Sequence, residues 1–303
     1  MTIHRILCPT DFSDASDHAL QQAGALARWY GARLTVLHVR LTVTPHPDMP
    51  EGGPAAPWLE ADTEALRART TAECQAIIAA GTAVDVAVLR GDPMQLILDM
   101  ADSLPADLIV MGTHGTSGFR HLLLGSVTEK VLRKATCPVL TVPPHAQASV
   151  AQPFTSVICG VDFSDCSTKA ITFAASVATQ SGAALTLVHV LEWPWHEPPM
   201  PTMAGVPPEQ ARALMDYRRY LETSAASRLE GIGAAALPDG PAPAVQIRFG
   251  RSYAELLDAA RELPADLIVV GVRGRNAVDL GFFGSTTNHL VRSATCPVLT
   301  VHA

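Results

Sequence analysis

DLIVMGTHGTSGFRHLLLGSVTEKVL, residues 107–132, returns later in the chain as DLIVVGVRGRNAVDLGFFGSTTNHLV, residues 266–291. Each stretch opens with an apolar run that lacks polar alternation, as expected of a parallel strand covered on both faces. Each then passes glycines spaced GxxGx9GS before a helical pattern resumes. In the first these are Gly112, Gly115 and Gly125-Ser126; in the second, Gly271, Gly274 and Gly284-Ser285. A single strand–loop–helix of this kind is weak evidence. Two in equivalent places are much less easily due to chance.

The repetition extends outward from this loop. ILCPTDFSDAS at 6–16 recurs as VICGVDFSDCS at 157–167, and LTVLHV at 34–39 as LTLVHV at 185–190. LPADLIV and ATCPVLTV each occur twice unchanged, at 104–110 and 263–269 and at 135–142 and 294–301. The early pairs are 151 residues apart and the late pairs 159. Eight extra residues of the second copy therefore lie between its second and third strands, a place where a surface loop tolerates length change. Two domains follow, at 1–146 and 153–303, joined by the Pro- and Ala-rich PPHAQASVAQP at 143–153.

Within the first copy, strand-length runs at 3–8, 33–39, 83–89, 107–112 and 138–142 alternate with helical patterns at 14–30, 58–80, 93–103 and 126–135. This alternation predicts an α/β fold, two tandem doubly wound parallel sheets of five strands in the order 3-2-1-4-5. Ligands then bind at the switch point between strands 1 and 4. Two long segments, 44–57 and 193–208, occupy equivalent positions; the second carries Trp193 and Trp195, readable as a stacking lid or as ordinary loop packing.

Composition narrows the function. With 29 acidic and 22 basic residues, the net charge of −7 gives no broad basic face for nucleic acid or an anionic membrane. No apolar run approaches a membrane span and the start lacks a signal-peptide core, so a cytoplasmic protein is expected. The six cysteines form no CxxC pair and read as reduced, mostly buried thiols, with Cys166 in a predicted loop as the main redox alternative.

The glycine loop suits a phosphate. Glycine lets its N–H approach an oxygen closely, and a helix start offers unpaired N–H groups and a positive dipole end. Ser126 and Thr128 add hydroxyls, and hydrogen bonds to a charged group are worth about 1.5–3 kcal/mol each. Several together hold a triphosphate without a lysine. Ser126-x-x-Glu129 also reads as a capping box, a purely structural use; the second copy has Asn288 at the glutamate position. Neither GxxxxGK[ST] nor a GxGxxG after the first strand is present.

PTDFS, LHV, GxxGx9GS and TCPVLTV together resemble the universal stress protein family, over nearly all of both halves. The resemblance implies an adenine nucleotide hydrolase-like fold and ATP, with Mg²⁺ as an accompanying ion and no dedicated metal cage. It puts adenine and ribose near Pro9, Thr10, Asp11 and Val39, with Gly91 on the ribose side, and phosphates near Gly112, His114, Gly115, Gly125, Ser126 and Thr128; Met111 and Val127 complete the nucleotide-binding set. On its own, Asp11 reads equally as a strand-end residue helping the helix that starts at Ser13-Asp14. The matching positions in the second half are Gly160, Val161, Asp162, Val190, Gly250, Gly271, Arg273, Gly274, Gly284, Ser285, Thr286 and Thr287. That half departs from the pattern: Gly160-Val161 stand for Pro9-Thr10, Arg273 for His114, Ala277 for Gly118 and Asp279 for Arg120.

The resemblance also implies that the two ATCPVLTV edge strands pair within one chain as a pseudo-dimer, with further homodimerisation open. The expected role is stress response or signalling through bound ATP, with no catalytic residue assigned. The alternatives are slow ATP hydrolysis and a nucleotide-free scaffold.

Overall fold

The computed structural model describes residues 3–41, 57–113, 124–144, 146, 154–192, 207–238, 240–272 and 284–302, with 57–61 and 208 described by backbone alone. Two compact units result, one built on Met1–Pro153 and the other on Phe154–Ala294 and Val298–Ala303.

In the first unit the strands are β1 (Arg5–Thr10), β2 (Arg33–Arg40), β3 (Val84–Arg90), β4 (Leu108–Gly112) and β5 (Val139–Val142). Its helices are α1 (Asp14–Tyr30), α2 (Pro57–Glu73), α3 (Gln75–Ala79), α4 (Pro93–Ser103) and α5 (Ser126–Lys134). The second unit has β6 (Ser156–Gly160), β7 (Ala184–Leu191), β8 (Ala244–Phe249), β9 (Leu267–Gly271) and β10 (Val298–Val301), with α6 (Asp165–Ser181), α7 (Pro208–Ala236), α8 (Ser252–Glu262) and α9 (Ser285–Ser293). The strands of the first unit run β3-β2-β1-β4-β5 and those of the second β8-β7-β6-β9-β10, all parallel within each unit. This is the expected doubly wound order.

Local chemistry fixes the ends. Ser13 caps α1 by accepting from the Ser16 N–H at 3.2 Å, and Gly31, left-handed at φ 62°, closes it. The repeated LPADL clamps the strand starts: Asp107 Oδ2 accepts from the His4 and Arg5 N–H groups at 2.7 and 2.9 Å. Asp266 does the same for Thr155 and Ser156. Every residue of β4 is buried, which explains its unbroken apolar run.

Three expectations change. The helix read at 58–80 breaks at Cys74, whose N–H is shared between the Thr70 and Thr71 carbonyls. The short α3 then packs Ile77 on Gly24, where an added Cβ would lie 2.8 Å from Ile77 Cδ1. Secondly, the eight extra residues of the second copy lengthen a helix, not a loop. Pro57 and Pro208, which begin α2 and α7, keep the 151 offset, whereas Arg69 and Arg228 show 159. Thirdly, Cys166 is the second residue of α6 and buried, not a loop thiol. Among the described residues, no helix is long and apolar enough to cross a membrane.

Candidate functional site

At the carboxyl ends of β1, β2 and β4, where strand order reverses, lies a cavity of about 450 Å³. Pro9, Thr10, Asp11, Val39, Met111, Gly112, Gly125, Ser126, Val127 and Thr128, all expected here, line it. Leu37, His38, Arg40, Leu41, Pro93, Ile97 and Ser16 also line it and were not expected. His38 had a signal, since LHV recurs. The α4 residues had none, because their placement depends on how α4 meets the sheet. Gly91 is not among the lining residues; Pro93 and Ile97 form the wall on that side. His114, Gly115, Arg273 and Gly274 lie outside the described residues.

The helix start at the Gly125 end of the cavity is bare. Gly125 is the N-cap of α5 and no side chain caps it. Ser126 is therefore the first helical residue, and the capping box suggested by Ser126-x-x-Glu129 does not form. Glu129 instead pairs with Arg133 at 2.9 Å. The first amides of α5 and its dipole end meet the cavity, an arrangement that favours an anion. Gly284 caps α9 of the second unit in the same way.

Two expected ligands have structural duties. Gly112 cannot carry a side chain: a Cβ there would lie 2.6 Å from the Ala15 carbonyl oxygen of α1. Gly271 faces Cys166 as closely, at 2.7 Å. Asp11 combines both of its readings. Its Oδ1 accepts from the Ser13 N–H at 3.1 Å and from Ser13 Oγ at 2.5 Å, shaping the turn into α1, while the residue lines the cavity.

Between Asp11 and Ser13, Phe12 has φ 63°, a left-handed value rare for a non-glycine residue. Its ring stacks on His38 at 4.3 Å, and the Arg69 guanidinium lies 3.9 Å from its centroid. Two flat groups so close to one ring must occupy opposite faces. His38 Nδ1 meets the Thr10 carbonyl at 2.9 Å, so that nitrogen carries the proton. Phe163, also at φ 63°, repeats the arrangement with His189 at 4.5 Å and Arg228 at 4.1 Å, and His189 Nδ1 bonds the Val161 carbonyl at 2.6 Å. The arginine was missed because the helices that carry it are otherwise dissimilar.

A family model described as the universal stress protein family matches residues 2–143 and 153–302. A universal stress protein of Mycolicibacterium smegmatis is 28% identical over 312 positions, covering 99% of this chain and 97% of the relative. One of Methanocaldococcus jannaschii is 34% identical over 142 residues, 46% of this chain and 81% of the relative. The crystal structure of a universal stress protein from Archaeoglobus fulgidus superposes with a TM-score of 0.71 at 24% identity, covering 99% of this chain and 97% of that one, a likeness of fold.

Proposed function

The chain belongs to the universal stress protein family, and from that premise we propose that its first unit binds ATP and serves a stress-response or signalling role set by the bound nucleotide. The observation that carries this reading is the 450 Å³ cavity at the sheet's switch point, bounded on one side by the uncapped start of α5. Triphosphate oxygens accept from the α5 amides and from Ser126. The base and ribose lie toward β2, against the apolar Leu37, Val39 and Leu41. Mg²⁺ accompanies the triphosphate on its own oxygens.

Binding is favoured over turnover. Among the described residues lining the cavity, Asp11 is the one carboxylate, its Oδ1 engaged by Ser13, and His38 is the one imidazole, held against the Phe12 ring and by the Thr10 carbonyl. A general base for an attacking water needs a group within hydrogen-bond reach of that water. The protein is proposed to act in the cytoplasm.

The test is analysis of nucleotide released by acid from purified protein, followed by calorimetric titration with ATP. We expect ATP bound to the wild type and a loss of at least tenfold in affinity for Ser126→Glu, whose carboxylate repels the phosphates. A wild-type chain that neither carries nor takes up ATP overturns the proposal.

A further inference from the structure

We infer that Lys130, one turn beyond Ser126 on α5, is the cation that meets the phosphate chain in the first crevice and sets its preference for a nucleoside triphosphate over the monophosphate. This deepens, and rests on, the reading of that crevice as an ATP site.

The crevice is short of positive charge. Among the described residues that line it, Arg40 alone carries a full positive charge, and its guanidinium pairs with Asp62 of α2. Arg40 also sits at the end of β2, on the side where base and ribose are proposed to lie. The α5 amides and the Ser126 hydroxyl offer only partial charges.

Lys130 is the fifth residue of α5 and is exposed beside the cavity rather than part of its wall. Residues four apart are neighbours on one face of a helix, and each Cα–Cβ bond tilts toward the helix N-terminus. The four-carbon stem of Lys130 is therefore directed back over Ser126, which does line the cavity.

The second unit shows how far a side chain at this place reaches. His289, the counterpart of Lys130, stacks on Tyr253 with ring centroids 4.3 Å apart and planes 20° from parallel. Tyr253 is the second residue of α8. Its counterpart in α4 is Met94, which follows Pro93, a wall of the first cavity. An imidazole at this position thus spans from its own helix to the start of the preceding one. In the first unit those two helix starts bound the cavity, and a lysine is longer than a histidine.

Nothing within the first unit claims the ammonium. Its neighbours on the helix surface, Ser126, Val127, Arg133 and Lys134, include no carboxylate. Glu129, beside it in sequence, pairs with Arg133 at 2.9 Å. Among the described residues Lys130 makes no ion pair. A lysine ammonium is a compact point charge with three donors. Its attraction for a phosphate chain grows with the charge of that chain, whereas contacts to base and ribose are the same for AMP and ATP. Lys130 therefore adds more to ATP than to AMP, and salt screens that addition.

The experiment titrates the full-length chain with ATP and AMP by displacement of a fluorescent ATP analogue, at low and high salt. A Ser285→Glu background keeps the second unit out of the signal. Lys130→Ala should weaken ATP about threefold or more and AMP by less than about twofold, the scale of one exposed charge pair. It should also flatten the salt dependence of ATP binding. Lys130→Arg should keep most of the preference. Lys134→Ala removes the same charge one turn further from the cavity and should leave the preference unchanged. An ATP-to-AMP ratio unmoved by Lys130→Ala, or moved as far by Lys134→Ala, overturns the inference while the ATP site stands. Failure of the first-crevice reading shows separately, as a wild-type chain that takes up no ATP, and it overturns this inference as well.

Discussion

Thr128 Oγ1 donates to the Gly112 carbonyl oxygen at 3.0 Å, and so the hydroxyl proton of a residue expected to hold phosphate is spent on the end of β4. The bond ties α5 to the strand and fixes the helix whose amides face the cavity. Ser126, exposed at the first helical position, is the hydroxyl proposed to donate to the nucleotide. Thr128→Val should therefore cost stability, about 1–3 kcal/mol for an abandoned buried acceptor, and Thr128→Ser should restore much of it. Ser126→Ala should leave stability alone and weaken ATP roughly tenfold or more, the value of one hydrogen bond to a charged group. Urea unfolding and calorimetry separate the two. A Thr128→Val protein as stable as wild type would remove the structural role.

Gly112 makes a second separation. Its missing Cβ is required by α1, because the Ala15 carbonyl oxygen stands 2.6 Å from where that atom would be. Backbone on one side and a sheet on the other cannot yield cheaply. Gly112→Ala should destabilise the first unit by about 1–3 kcal/mol, the range for overpacked cores. Gly271→Ala should do the same in the second unit, against Cys166. Denaturant midpoints that do not move would contradict the close approach.

These residues show what could be read from the chain alone and what could not. The order of strands followed from apolar runs alternating with amphipathic ones, and the crevice followed from that order. The spacing GxxGx9GS marked a helix start at Ser126 and another at Ser285, but not the division of labour. Whether Gly112 serves a ligand or α1, and where Thr128 sends its proton, depends on packing between segments distant in sequence. The break at Cys74 was hidden because a helix of unbroken periodicity can still bend where a close contact, here Ile77 on Gly24, draws it inward. The longer second copy misled because insertions are usually looked for in loops. Its eight residues make α7 about two turns longer, at 3.6 residues per turn.

The clamp of Arg69, Phe12 and His38 gives a third expectation. A left-handed non-glycine residue costs roughly 1–2 kcal/mol and persists where its surroundings hold it. Here two stacked groups grip the ring of Phe12, and the neighbouring Asp11 and Ser13 gain their orientation from the same turn. Arg69→Ala removes one jaw at an exposed site, where a cation–π contact is worth about 0.5–1 kcal/mol. ATP affinity of the first unit should fall about two- to fivefold with helix content intact, and Arg69→Lys should recover part of it. Phe12→Gly relieves the backbone but discards the ring, and should weaken ATP more than Arg69→Ala does. If both variants titrate like wild type, the turn holds its shape without the clamp.

The buried thiols make stability depend on alkaline pH. Burial raises the Cys74 and Cys137 thiols to about 11, and raises Cys8 and Cys159, which lie wholly inside, further still. A thiol is neutral when protonated, so neither the folded nor the unfolded chain is penalised below pH 8.5, the ordinary thiol value. Above it the unfolded chain ionises and the folded one does not. The unfolded state then binds fewer protons, and stability falls as pH rises, by up to about 1.4 kcal/mol per pH unit for each suppressed thiol. Tyr30, raised to about 12 by burial, adds to the loss only above pH 10. Urea unfolding at pH 8, 9 and 10 should therefore show a falling midpoint, and a Cys8→Ala, Cys159→Ala chain should show a shallower fall from a lower start. The same slope in that double variant would mean that these thiols titrate alike in both states, and that the strands β1 and β6 do not shield them.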